Sequence, residues 1–244
     1  MSLAPRLKPR EVVYTPGVNA ANPSPAGLFV TVEGPEGAGK TTQAARLARF
    51  VEGRGRTVTL VREPGGTELG ERLREILLER RSAGILPRAD ALLFNASRAQ
   101  LVDEVIRPAL ERGEVVIATR YTDSTLAYQG YGLGLPLDQL RDVERFATGG
   151  LVPRRTVLLD VPVDVGLARK GIRERTRFES AYDRAFHERV RTGFLELARL
   201  EPGRIRVVDD DDGAGADALF ERVLRAVFDE TVPLEAGQPQ RVGR

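Results

Sequence analysis

The stretch Gly34–Thr42, GPEGAGKTT, follows directly on the apolar run Leu28-Phe29-Val30-Thr31-Val32 and fits the pattern G-x-x-x-x-G-K-[ST] in full. Its position between a strand pattern and a helix pattern turns the match into a structural expectation: a loop of backbone N–H groups wrapped around phosphate oxygens. Gly34, Gly37 and Gly39 permit backbone angles and close approaches that side chains would block. The helix that follows adds the positive end of its dipole. Lys40 is then expected to reach the terminal phosphates, with the Thr41 hydroxyl in the shell of a Mg2+ ion.

The rest of the chain reads as strands alternating with helices. Strands are expected at Leu28–Glu33, Thr57–Arg62, Glu114–Thr119, Arg155–Val161 and Arg204–Val208, most of them continuous apolar runs. Helical periodicity covers Thr41–Glu52, Glu68–Arg80, Arg88–Arg112, Pro136–Thr148, Val163–Lys170, Ser180–Leu200 and Ala216–Glu230. This alternation predicts an α/β fold: a five-stranded parallel sheet covered by helices on both faces. Ligands on such sheets bind at the carboxyl ends of the strands, so functional residues are sought just after each strand.

Residues 1–26 hold five prolines and no apolar core, and are expected to be a flexible extension. Residues 27–231 form the expected domain, and 232–244 a loose tail. The formal charge of +2 comes from a mixed surface, which argues against nucleic acid as the main partner. Cysteine is absent and there is one histidine, His187, so disulfides, thiolate sites and His-based metal clusters or triads are excluded. The lack of cysteine is compatible with a reducing cytoplasm. No apolar run approaches the length of a membrane span.

Three segments carry further chemistry. After the second strand, Arg62-Glu63-Pro64-Gly65-Gly66-Thr67 brings a carboxylate to the strand's end. On the next long helix, Phe94 and Arg98 are four residues apart and share a face, a ring beside a guanidinium that suits a monophosphorylated nucleoside. By spacing alone, a helix Phe is usually core and a helix Arg usually solvated. After the third strand come Arg120-Tyr121-Thr122-Asp123-Ser124-Thr125-Leu126-Ala127-Tyr128-Gln129-Gly130. Finally, five of the nine residues Arg169–Arg177 are Arg or Lys. A charge run is usually a solvated helix end, but phosphoryl transfer also needs positive charge delivered to the migrating group and water excluded, which a mobile lid does.

Taken together, VEGPEGAGKTT, REPGGT, LLFNASRAQ, STLAYQG and the RFE of Arg177–Glu179 make the chain resemble bacterial thymidylate kinases from about Leu28 to Glu230. The resemblance implies a three-layer P-loop NTPase fold with a helical lid at about 167–179, and transfer of the ATP γ-phosphoryl group to dTMP with Mg2+. ATP is then expected on Gly34, Pro35, Glu36, Gly37, Ala38, Gly39, Lys40, Thr41 and Thr42. The matching positions put Phe94 on thymine, Arg98 on the base or the dTMP phosphate, and Arg120 on that phosphate. Glu63 orders the region, while Ser124, Thr125, Tyr128 and Gln129 line the base and sugar pocket. With no arginine at the loop's variable positions, the lid is expected to supply one: Arg173 and Arg175, supported by Arg169 and Arg177. The family implies a homodimer.

Two positions depart from the family pattern. Thr119 and Thr176 stand where an aspartate is usual, at the end of the third strand and in the lid. Glu33 is the nearest carboxylate expected to compensate near the metal, and Asp160 a more distant option. These departures keep open two alternatives: a catalytically weakened nucleotide-binding regulatory homologue, and a kinase of the same fold acting on another monophosphate.

Overall fold

The computed structural model describes residues 27–78, 84–169, 176, 178, 182–210, 215–229 and 232. Five parallel strands, β1 (Leu28–Glu33), β2 (Val58–Arg62), β3 (Val115–Thr119), β4 (Arg155–Asp160) and β5 (Ile205–Asp209), form one sheet in the order β2-β3-β1-β4-β5. β1 lies in the middle, with Val32 opposite Thr119 of β3 and Glu33 opposite Leu158 of β4. The expected sheet and all five strands are therefore present, with ends within a residue or so of those read from the apolar runs.

Strand alternation sorts the core into two faces. Val30 and Val32 of β1, Ile117 of β3 and Val157 and Leu159 of β4 pack on one side, against Leu47 and Val51 of α1 (Lys40–Glu52) and Val223 of α9 (Gly215–Val227). On the other side, Phe29 and Val116 meet Leu101 of α3 (Pro87–Leu101) and Ile106. Leu158 and Ile205 meet Phe186, Phe194 and Leu197 of α8 (Arg184–Leu200). Each fully buried aliphatic or aromatic side chain of this kind contributes about 1.5–3 kcal/mol.

The helices differ from expectation where local chemistry competes with periodicity. The single helix expected over Arg88–Arg112 is α3, a π-helical turn at Val102–Ile106 and a short α4 (Arg107–Glu111) that carries in its first turn Pro108, whose ring cannot supply an N–H. Helix α8 starts at Arg184 rather than Ser180, because the Asp183 carboxylate caps it by accepting from Phe186 N at 2.8 Å. After β3 the chain forms a four-residue helix α5 (Thr122–Thr125) and a π-helical segment Leu126–Gly132, followed by α6 (Leu137–Thr148). Helices α2 (Glu68–Leu78) and α7 (Val163–Arg169) complete the set among the described residues. Residues 1–26 and most of 232–244 lie outside the described residues, as does most of 167–179, the segment expected to be a lid.

Candidate active site

The carboxyl edge of the sheet opens into a cavity of about 440 Å³. At one end lies the loop between β1 and α1. Gly39 caps α1 with φ 81°, and no acidic side chain occupies the first turn of that helix, so its amide end faces the cavity uncompensated. Lys40 curls back over the loop, its Nζ donating to the carbonyls of Gly34 at 2.9 Å and Pro35 at 2.6 Å. Gly37, at φ 72°, is pressed against α7. A Cβ there would stand 1.9 Å from the Gly166 carbonyl oxygen, and one at Gly166 would stand 2.2 Å from that of Glu36.

The turn after β3 builds the middle of the site. Arg120 adopts φ 69°, which throws its guanidinium into the cavity, where it donates to Glu36 Oε1 at 2.7 Å, Ser124 Oγ at 3.1 Å and Tyr128 OH at 3.2 Å. Tyr128 in turn donates to the same Glu36 oxygen at 2.9 Å. Burial alone would lower the Arg120 pKa, but Tyr128, Glu36 and Glu33 outweigh it and raise it. Arg62 and Arg74 also line the cavity, with Arg74 donating to the Pro64 carbonyl at 2.7 Å. Burial, with Arg62 and Arg120 as like charges, pulls the Arg74 pKa down. Arg62 (about half exposed and paired with Glu71), Arg74 and Arg120 (paired with Glu36) thus bring three guanidinium groups to one cavity, a set of donors suited to an anion.

The far end is aromatic and amphipathic. Phe94, Tyr128, Phe178 and Leu78 supply apolar surface, while Thr125 and Gln129 supply polar groups, Gln129 held by Asp90 at 2.8 Å. Arg98 forms the floor and is 1% exposed. Its Nε donates to Glu63 Oε2 at 2.8 Å, Nη1 to Thr125 Oγ1 at 3.0 Å and Nη2 to the Tyr121 carbonyl at 3.0 Å. A second carboxylate, Glu144 on α6, lies 3.8 Å from Arg98 Nη1. Burial raises the Glu63 pKa against the opposing pull of Arg98, and raises that of Glu144 to about 8.

Glu33, expected beside the metal, is elsewhere. Strand alternation places it with Phe29 and Thr31 on the face away from α1, and it is completely buried under the β3–α5 turn. Its oxygens accept from Tyr121 N and Ser124 Oγ, both at 2.6 Å, and burial together with nearby Asp123 lifts its pKa to about 7. It anchors the turn that carries Arg120 and is not among the residues lining the cavity. Asp160, the more distant option, is held by Arg191 through two bonds of 2.7 Å. Thr119 does line the cavity, its hydroxyl donating to the Val61 carbonyl at 3.5 Å.

The other expected residues gather here. Glu36 to Thr42 of the loop, and all eight residues expected to contact the nucleoside monophosphate, line one cavity; Gly34 and Pro35 shape the loop behind it. Arg169 lines it too, paired with Asp210. Arg173, Arg175 and Arg177 lie outside the described residues. Sequence reading missed Arg62, Arg74, Leu78 and Phe178 as cavity residues. Arg74 had a usable signal: it follows the Glu63 turn on a helix, and its α2 face returns to that turn.

Residues 32–214 match the family model for thymidylate kinase. The chain belongs to the thymidylate kinase family. Thymidylate kinase of Deinococcus radiodurans is 56% identical over 184 residues, covering 75% of this chain and 88% of that protein. The thymidylate kinase of Desulfovibrio desulfuricans is 52% identical over 190 residues, covering 75% and 87%. A crystal structure of thymidylate kinase from Ehrlichia chaffeensis superposes with a TM-score of 0.68 at 30% identity, covering 84% of this chain and all of that one. The thymidylate kinase fold thus accounts for the whole described sheet and the helices that carry the cavity.

Proposed function

We propose that the chain transfers the γ-phosphoryl group of ATP to dTMP, giving dTDP and ADP. The observation that carries this reading is one cavity with a phosphate loop at one end, three arginines in the middle and an aromatic slot at the other. A nucleoside monophosphate laid along it would put its base on Phe94, its phosphate on Arg62, Arg74 and Arg120, and its reacting oxygen toward the loop. Arg98 already spends donors on Glu63, Thr125 and the Tyr121 carbonyl, which favours contact with the base over the phosphate. Glu36, bonded to both Arg120 and Tyr128, stands between phosphate and sugar sites. Tyr128, packed beneath the deoxyribose, disfavours a 2′-hydroxyl.

In the reaction an oxygen of the dTMP phosphate attacks the γ-phosphorus. The bond from that phosphorus to the β,γ-bridging oxygen breaks, and the electron pair leaves on ADP. The transition state spreads charge over the equatorial oxygens, so fixed cations do most of the work. Lys40 and the loop amides hold the β- and γ-phosphates, and Arg120 aligns the acceptor. Arg173 and Arg175 supply charge to the migrating group, with Arg169 and Arg177 as supports. Thr41 sits exposed in the first turn of α1 at the cavity wall, and no cluster of three acidic or histidine residues exists among the described residues. That donor set fits Mg2+ carried by the nucleotide's own phosphates, with Thr41 as the protein ligand. Bound there, Mg2+ neutralises charge on the phosphates.

The protein is proposed to act as a homodimer in the cytoplasm, where ATP is available. The outward sides of α2, α3 and α6, neighbours in one layer, expose Leu69, Ile76, Leu92 and Phe146, the last 91% exposed. The deciving experiment for the activity is ATP- and Mg2+-dependent phosphorylation of dTMP run beside dUMP, UMP, CMP and dGMP. Selective formation of dTDP is expected. Nucleotide binding without turnover of any acceptor would replace the kinase with a binding protein.

A further inference from the structure

Helix α5, which begins two residues after Arg120, is four residues long, and a single helical turn cannot hold its own place, because nucleation costs more than its few hydrogen bonds offset. Its position is set from outside, at two points. One is Glu33, which accepts from Tyr121 N and Ser124 Oγ. The other is Arg204, in the turn between α8 and β5, 81 residues further along the chain than its partner Asp123. Nη1 and Nη2 of Arg204 donate to the two oxygens of Asp123 at 2.7 and 2.8 Å, and Nη1 donates also to Thr156 Oγ1 at 3.0 Å. Nε and Nη2 donate to the two oxygens of Glu201 at 2.7 and 2.9 Å. All five guanidinium N–H groups are thereby used, and the fork fixes both the distance and the plane of the Asp123 carboxylate. Thr156 Oγ1 is in turn 2.7 Å from Thr31 Oγ1, which ties the group to β1 and β4. Asp123 is 2% exposed, and neither it nor Arg204 is among the residues lining the cavity.

We propose that Arg204 is a positioning residue for the acceptor: through Asp123 it fixes the short helix that brings Arg120 and Ser124 to the phosphate and sugar of dTMP. The inference rests on the kinase reading and deepens it. Arg120, at φ 69°, stands two residues before α5 and donates to Ser124 Oγ at 3.1 Å, so its guanidinium moves with that helix. Glu33 and Asp123 are both buried under this turn, and Asp123 helps to raise the Glu33 pKa, which marks the two carboxyl groups as near enough to repel. Arg204 supplies the opposite charge, so attraction holds the turn down. Burying an ion pair adds little net stability, since apolar side chains of the same volume pack as well or better. It does supply a fixed orientation, and a misplacement of about 1 Å in a substrate-holding group can lower a rate by about 10²-fold. The Lys40 end of the cavity is built on α1 and not on α5, so the hold on ATP does not depend on Arg204.

The test is steady-state kinetics with dTMP and ATP varied separately, beside thermal melts, for wild type, Arg204→Lys, Arg204→Met and the double variant Arg204→Met/Asp123→Asn. Arg204→Met is expected to lower kcat/KM for dTMP about tenfold or more, raising the KM for dTMP and lowering kcat, with the KM for ATP unchanged. It also leaves the Asp123 carboxylate buried without its partner, so its melting temperature falls. Arg204→Lys keeps the charge without the fork and regains only part of the loss. The double variant separates orientation from stability: with the orphaned charge removed its melting temperature recovers, while its KM for dTMP stays raised. Recovery of the dTMP kinetics together with the melting temperature overturns the proposal and leaves the pair a structural one. So do unchanged dTMP kinetics in Arg204→Met, or an equal rise in both KM values. Should Arg204→Met not fold, Arg204→Lys and the double variant are read by the same criteria. Should the wild type form no dTDP, the kinase reading fails by itself and calorimetric binding of dTMP decides this one. Weaker binding by the double variant then sustains the proposal, and equal binding or none by wild type overturns it.

Discussion

Lys40 is bonded to two carbonyls of its own loop, so its ammonium is held where the terminal phosphates of ATP are proposed to lie. Lys40→Ala is expected to lower kcat by about 10²-fold or more in the dTMP assay, without lowering the melting temperature. Thr119 raises a different question, because it offers a neutral hydroxyl between Arg62 and Arg120. Thr119→Asp should lower the Mg2+ concentration giving half-maximal rate. An unchanged Mg2+ titration would mean that Thr41 and the nucleotide suffice. Glu144 carries a prediction about stability. Burial raises its pKa from the ordinary carboxylate value of 4.5, which holds in the unfolded chain, to about 8 in the folded protein. Its contribution to stability is therefore fully present below about pH 4.5 and is lost as pH rises toward 8. Glu144→Gln should flatten the pH dependence of the melting temperature and be more stable than wild type above pH 8, by about 1 kcal/mol or more. Glu33 acts with the same sign over a window that ends near pH 7.

Between β1 and α1 the loop meets α7 backbone to backbone at Gly37 and Gly166. With a Cβ from either residue falling within 2.2 Å of the other segment's carbonyl oxygen, Gly37→Ala and Gly166→Ala should each raise the KM for ATP by about tenfold or lower the melting temperature by several degrees. Wild-type values of both in either variant would show that the two segments part without cost. The strands and this loop were legible because buried parallel strands are continuous apolar runs and because glycine spacing has few other uses. The α5 helix and the π-helical segment after it were not, since Thr122–Gly132 lacks a helical repeat and takes its winding from tertiary bonds. Two of these, Glu33 to Tyr121 N and Ser124 Oγ, link residues far apart in sequence. The start of α8 was readable from Asp183 as a cap and was set too early by following periodicity alone.

Across the whole molecule, one layer of helices, α2, α3 and α6, carries both the floor of the nucleoside slot and an exposed apolar surface. Phe146→Asp is expected to convert a dimer to a monomer in sedimentation velocity. A wild-type monomer at micromolar concentration would remove that surface from consideration as the interface. The location of the site was legible from the rule that ligands gather at the carboxyl ends of parallel strands, and the cavity residues from β1, β2 and β3 obey it. What sequence could not supply was direction within a strand's end: Glu33 and the loop residue Glu36 are three positions apart, yet one points beneath the turn and the other into the cavity. Polarity of the sheet has a practical side as well. The backbone enters β1 at Leu28, bonded to Glu114 at the amino edge, and a six-residue strand places the cavity about 17–20 Å away at the opposite edge. An enzyme anchored at Gly27 itself would therefore be held by the edge opposite the mouth of its cavity.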